Sequence, residues 1–239
     1  MVASLMILLV RPAAAEIAWS DCEGCHTERK DVLESPFVDA DELSSSVHKD
    51  VGCQDCHSDI HEAKHDATRV PHQLYAEKVS CMEKCHVEGN EAGIPSFTPM
   101  DQYQDSAHGV ALEADLGDAA TCADCHGTHD IRPKEDPKSS VYRGNVPRTC
   151  ARCHENMQFV VKHNIRVEKP FEEYEKSKHG QALLNDGLID LAATCTDCHG
   201  VHDIQSSGTA NIRPRRPQTC GTCHVAIFAT YEQSTHGKA

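Results

Sequence analysis

All fourteen cysteines of this 239-residue chain occur in close pairs, and a histidine follows each pair at once. Six runs have two residues between the cysteines: Cys22-Glu23-Gly24-Cys25-His26, Cys53-Gln54-Asp55-Cys56-His57, Cys122-Ala123-Asp124-Cys125-His126, Cys150-Ala151-Arg152-Cys153-His154, Cys195-Thr196-Asp197-Cys198-His199 and Cys220-Gly221-Thr222-Cys223-His224. The third run along the chain, Cys81-Met82-Glu83-Lys84-Cys85-His86, has one residue more. Residues i, i+3 and i+4 share one face of a helix, so a single turn presents two thiols and an imidazole together. That is the attachment signature of c-type haem, with two thioethers to the vinyl groups and an axial histidine. The longer run needs a distorted turn but offers the same three groups. Zinc ribbons also use paired cysteines, but they do not require histidine after every pair. With 17 histidines in 239 residues, seven such coincidences have odds of about one in 10^8. Disulfides leave the histidines unexplained, and a close C-x-x-C bridge is a redox element more often than a structural one.

Ten histidines remain, and internal repetition sorts them. Tyr103-Gln104-Asp105-Ser106-Ala107-His108-Gly109 recurs as Tyr174-Glu175-Lys176-Ser177-Lys178-His179-Gly180 and as Tyr231-Glu232-Gln233-Ser234-Thr235-His236-Gly237, with a looser copy at Ser46-Val47-His48. A second pattern trails alternate motifs: His126-Gly127-Thr128-His129-Asp130-Ile131, His199-Gly200-Val201-His202-Asp203-Ile204 and a shifted relative, His57-Ser58-Asp59-Ile60-His61. Val146-Pro147-Arg148-Thr149-Cys150 likewise resembles Arg216-Pro217-Gln218-Thr219-Cys220. Seven proximal histidines (His26, His57, His86, His126, His154, His199, His224) therefore meet seven patterned distal candidates: His48, His61, His108, His129, His179, His202 and His236. The sequence does not say which distal residue serves which motif. His65, His72 and His163 fall outside the pattern and read as solvent-exposed or propionate-contacting; the alternative is that His65 or His72 replaces His61 and His163 replaces His179.

Two imidazoles make an iron six-coordinate, which suits electron transfer and closes it to substrate; a methionine ligand would raise its potential. After residue 15 only Met82, Met100 and Met157 remain, none in a repeated position, so low potentials are expected. The composition agrees. Only 39% of residues are apolar and 5% aromatic, too few for an ordinary side-chain core, while about one motif per 34 residues packs macrocycles close together. Folding is then coupled to attachment, as it is to metal binding. A net charge of −14 argues against a nucleic-acid partner and for a basic docking partner.

The expected fold is mainly α with much irregular loop and little or no β, short helices wrapping a chain of seven covalently attached haems c. Pro170 to Leu184 is expected to be helical, opening with proline at its first position; Pro133 to Ser140 and Ser206 to Arg216 read as loops. Met1 to Val10 is apolar apart from Ser4 and leads to Ala13-Ala14-Ala15, a secretory signal read as cleaved after Ala15. Its removal takes away only Arg11 among the charges, leaving −15. Residues 16–239 then form one domain of three and a half haem-pair repeats, roughly 16–90, 91–160 and 161–239. No apolar run reaches the roughly 18 residues of a membrane helix.

These motifs resemble the multihaem cytochromes c with doubled C-x-x-C-H motifs of anaerobically respiring bacteria, most closely at Cys122 to Ile131 and Cys195 to Ile204. The resemblance spans Cys22 to Gly237. It implies helices and loops around a haem wire. It also implies export to the periplasm, the outer face of the cytoplasmic membrane or the cell exterior. The implied role is electron carriage, not catalysis, between a membrane quinol-oxidising complex and downstream cytochromes or a reductase. Two alternatives stay open. One is an extracellular cytochrome filament in which His236 ligates a haem of the next subunit; the other is a reductase of a small oxyanion, which needs an open haem.

Overall fold

A computed structural model describes residues 19–27, 37–58, 79–82, 85–90, 93, 99–165, 169–205 and 215–238. The expected signal segment, His61, His65 and His72 lie outside them. The described residues are helical and contain no strand. The helices are short: α1 (Trp19–His26), α2 (Ala40–Ser44), α3 (Cys53–Cys56), α4 (Pro99–Gln104), α5 (Ala107–Glu113), α6 (Cys122–His126), α7 (Val146–His154), α8 (Met157–Lys162), α9 (Pro170–Lys176), α10 (Lys178–Leu184), α11 (Cys195–His199), α12 (Arg216–Gly221) and α13 (Val225–Gln233). Short helices joined by irregular chain make up the described residues, as the expected fold class has it.

The chain divides into two compact units, residues 1–40 with 50–80, and residues 41–49 with 81–239. In the first, α1 and α3 each carry a motif, and the backbone N–H of Val38 donates to the carbonyl of His26 (2.8 Å). In the second, a block running from α4 to α7 recurs from α9 to α12. Helix α4 ends at a serine turn, and Ser106 Oγ accepts from the N–H of Gly109 (3.0 Å) to start α5. Ser177 repeats this, accepting from Gly180 (3.0 Å). Its extended backbone (φ −71°, ψ 163°) breaks the continuous helix expected over 170–184 into α9 and α10. Glycine is obligatory after each histidine here, because a Cβ on Gly109 or Gly180 would collide with the carbonyl oxygen of Tyr103 or Tyr174. The tyrosine closes each block: Tyr103 Oη donates to the Ala120 carbonyl (2.7 Å) and Tyr174 Oη to that of Ala193 (2.9 Å), each just ahead of a motif.

The motifs form two kinds of turn. Helices α6 and α11 begin at their first cysteine, after Thr121 and Thr194, whose N–H groups donate to Asp124 (2.7 Å) and Asp197 (2.6 Å). Asp55 does the same for Gly52 (3.0 Å) ahead of α3. An acidic group at a helix start satisfies an orphan N–H and complements the helix dipole. In α7 and α12 the motif lies instead in or beyond the last turn of a helix opened by Pro147 or Pro217. The expected loop at 133–140 is irregular chain held by local bonds, with Asn145 Nδ2 donating to the carbonyls of Pro137 and Ser139 (2.8 Å each). Of the loop expected at 206–216, residues 206–214 lie outside the described set, and Arg216 instead opens α12.

Among the described residues a conventional core is lacking. The buried apolar side chains there are Ala119, Val160, Leu183 and Ala192, while Val161, Leu191, Val201 and Ile227 are exposed. Burial of a valine or leucine contributes about 1.5–3 kcal/mol, against roughly 1–2 kcal/mol for ordering each residue's backbone. The protein side chains alone do not hold this chain.

Long-range ties compensate in part. Arg143 reaches across the repeat: Nε donates to the Ile189 carbonyl (2.7 Å), Nη2 to that of Ala192 (2.9 Å), and the fork grips both oxygens of Asp197 (2.8 and 3.1 Å). Burial works against the ionised Asp197, but the N–H of Thr194 and the Arg143 fork outweigh it and hold its pKa below the ordinary value. The tie's contribution is therefore complete above the unfolded carboxylate pKa, about 4, and is lost as pH falls through the lower folded value. Arg143→Ala is expected to lower the unfolding free energy of the holoprotein by about 1–2 kcal/mol. Lysine, lacking the fork, restores little of it. In denaturant titrations Asp197→Asn should flatten the loss of stability between pH 5 and pH 3 (about the range in which the carboxylate titrates).

Candidate functional site

In four places the structure sets a motif histidine opposite a distal candidate. The ring centroids of His86 and His48 are 6.0 Å apart, those of His154 and His108 6.2 Å, and those of His126 and His202 and of His224 and His179 6.1 Å. The interplanar angles run from 10° to 65°. Rings in mutual contact would change separation as they tilt; a constant separation at four different tilts points to a fixed spacer. Two metal–nitrogen bonds of about 2.0 Å, with about 1.1 Å from each nitrogen to its ring centre, span about 6.2 Å. One iron between two axial imidazoles fits that gap.

The donor set identifies the kind of metal centre. Among the described residues no group of three or more His, Cys, Asp or Glu could hold a metal ion. A zinc site draws four ligands from the protein. Two opposed imidazoles need four equatorial donors from elsewhere, as a porphyrin supplies. Burial pushes the pKa of His48, His108, His126, His154 and His202 down. For His48, His108 and His126 the facing imidazole pushes it down further. Neutral imidazole is the form that ligates.

Local structure explains each delivery. His108 and His179 follow Ser106 and Ser177, the residues that turn the chain between paired helices. In the looser copy, Ser46 is buried and its Oγ accepts from the N–H of His48 (3.1 Å). These three serine-turn histidines face His86, His154 and His224, one motif beyond the next in sequence. The trailing pattern works backwards. The N–H of Ala107 donates to the Ile204 carbonyl (2.8 Å), laying His202-Asp203-Ile204 along the preceding block, where His202 meets His126. Val47 makes the same bond to Ile131 (2.8 Å). Gly127 and Gly200, both at φ +90°, make the reversal after the motif; a Cβ there would strike Asp130 or Asp203.

Within each unit consecutive motifs lie side by side. None of the thirteen cysteines with described side chains is in a disulfide. Cys81 bonds to Cys122 and Cys150 to Cys195, so the donors Cys81 and Cys150 are pushed up and the acceptors Cys122 and Cys195 down. Burial, with Cys150 nearby, pushes Cys125 up to about 11, and burial with Cys220 nearby raises Cys198. In the first unit burial and Cys22 push Cys53 up to about 11. The neighbour relations of the second unit run third to seventh motif in chain order.

Other predicted residues stand apart. His163, a substitute for His179 on sequence grounds, sits on the Phe159 ring (4.5 Å) with Nε2 2.9 Å from Asp118. Lys162 and His163 together hold the Asp118 pKa down to about 2. It tethers α8, and His179 keeps the place opposite His224. Among the described residues no second imidazole faces His199 or His236; His199 Nδ1–H donates to the Gln205 carbonyl (3.1 Å), which leaves Nε2 as the ligating nitrogen. His26, His57 and His129 are described, while His61 is not. Sequence reading passed over the caps Asp55, Asp124 and Asp197 and the Arg143 fork. Their signal was the aspartate recurring one residue before the second cysteine of alternate motifs.

Expected outcomes distinguish these roles. His202→Ala should turn one haem per chain high-spin and able to bind carbon monoxide in the reduced state. His163→Ala should leave the absorption spectrum unchanged and only lower stability.

A family model described as Cytochrome c3 matches residues 114–225, which hold four of the seven motifs, the fourth to the seventh. No curated protein and no solved structure matches the chain.

Proposed function

We propose, from the premise that this chain is a multihaem electron-transfer cytochrome binding c-type haem, that it is a heptahaem relay for an anaerobic respiratory chain. The thioether positions are Cys22, Cys25, Cys53, Cys56, Cys81, Cys85, Cys122, Cys125, Cys150, Cys153, Cys195, Cys198, Cys220 and Cys223. The proximal ligands are His26, His57, His86, His126, His154, His199 and His224. The observation that carries the reading is the four imidazole pairs at 6.0–6.2 Å. When bound there, a haem supplies a one-electron site whose coordination is full in both oxidation states.

The protein's own part is to hold both imidazoles still, keep them neutral, and line up the motifs. Rigid axial ligands leave little to reorganise on electron gain, and imidazole on both faces keeps potentials low. Neighbouring motifs in chain order support a wire between the third motif and the seventh. Export to the periplasm or outer membrane face fits a chain of paired cysteines that need haem attachment outside the cytoplasm. The acidic surface, −14 before any haem propionates, suits basic docking faces on a quinol-oxidising membrane complex at one end and a downstream cytochrome or reductase at the other.

The test is reoxidation of the reduced holoprotein. A relay keeps its electrons in the presence of nitrite or sulfite and gives them up rapidly to an oxidised cytochrome, the rate falling as salt rises. Sustained turnover of either oxyanion by the isolated protein would contradict the reading.

A further inference from the structure

Among the described residues one proximal histidine, His199, and one distal candidate, His236, match each other. His199 has its Nδ1 committed to the Gln205 carbonyl, which leaves Nε2 as its ligating nitrogen, and among the described residues no second imidazole is stacked or tilted against it. Its block also repeats the slot that elsewhere receives a trailing segment: His126 and the Ala107 N–H are filled by His202 and the Ile204 carbonyl. The equivalent positions, His199 and the N–H of Lys178, take no such segment among the described residues. At the other end, His236 is exposed and held as a ligand is held. Ser234 has the backbone of the delivering serines (φ −75°, ψ 166°, against φ −75°, ψ 164° at Ser106), and its Oγ accepts from the N–H of Gly237 (3.2 Å). A Cβ on Gly237 would meet the Tyr231 carbonyl oxygen, as at Gly109 and Gly180. Tyr231, whose counterparts Tyr103 and Tyr174 each bond a carbonyl ahead of a motif, is 37% exposed and stacks on Phe228.

We propose that His236 of one copy is the second axial ligand of the haem carried by Cys195, Cys198 and His199 of a second copy. The inference rests on the heptahaem reading above. His236 Nε2 donates its lone pair to the iron, displacing water if water is there, with no change of oxidation state. The spacing fits the slot: the carbonyl that docks lies two residues past the ligand in His202-Asp203-Ile204, and the corresponding carbonyl past His236 is that of Lys238. A backbone carbonyl needs no particular side chain to meet the Lys178 N–H. Apolar surface flanks both halves, with Ile227 (69% exposed) beside Tyr231 on α13 and Val201 (60% exposed) beside His199. One donor and one different acceptor per chain make a heterologous interface, which closes into a ring or propagates as a filament. The wire would then continue from copy to copy.

Sedimentation velocity of the holoprotein over a wide concentration range, read together with its absorption spectrum, tests this. Wild type should assemble, and on dilution to monomer one haem per chain should turn high-spin and bind carbon monoxide. His236→Ala should raise the half-assembly concentration more than about tenfold and show that open haem at every concentration. Added imidazole should restore its low-spin spectrum without restoring assembly. Three results overturn the proposal: a wild type that stays monomeric throughout, a His236→Ala variant that assembles like wild type, or one that loses a low-spin haem while assembly is unchanged. Fewer than seven haems by mass would instead break the heptahaem reading on which the proposal rests.

Discussion

Two imidazoles held about 6 Å apart between ring centres, the separation an iron between them would require, are the constraint on which the proposed account of this structure rests. A motif turn supplies one imidazole and two thiols from a single helix face. It cannot supply the second imidazole, which must come from elsewhere in the chain and arrive on the opposite face. Much of the backbone is devoted to that delivery. Serine turns at Ser46, Ser106 and Ser177 carry His48, His108 and His179. The Ala107–Ile204 bond carries His202. Each delivery joins a motif to a segment at least 38 residues away in sequence, so in the proposed account closing the iron sites also ties distant parts of the second unit together.

This explains why so small a side-chain core suffices. Leu183 and Val160 are nearly fully buried, yet Leu191 and Val201 beside the motifs are left exposed. Macrocycles bring their own apolar surface and their own covalent links, and polar ties such as the Arg143 fork fix the blocks to one another. A helix of five residues, too short to persist alone in water, is adequate when its cysteines are covalently anchored and its first turn is capped by Asp124 or Asp197.

Much of this was legible in the sequence, and the remainder was not for a physical reason. The motifs, the serine-turn histidines and the trailing histidines are local patterns whose geometry is set within a few residues. Partner choice is tertiary. His202 lies three residues from His199 but meets His126, 76 residues away, because Gly200 at φ +90° turns the chain back. His163 looked interchangeable with His179 by type, and only its bond to Asp118 shows where it belongs. The helix expected from Pro170 to Leu184 failed at Ser177, where the side chain competes with the helix for its own backbone. That break is what aims His179.

Intact-mass measurement of the holoprotein tests the central claim most directly, because each covalent haem adds a fixed mass and consumes two thiols. The account predicts seven haems on every chain and no cysteine left to react with alkylating reagent after unfolding. A chain carrying fewer haems, with paired thiols free or bridged by a disulfide, would contradict it.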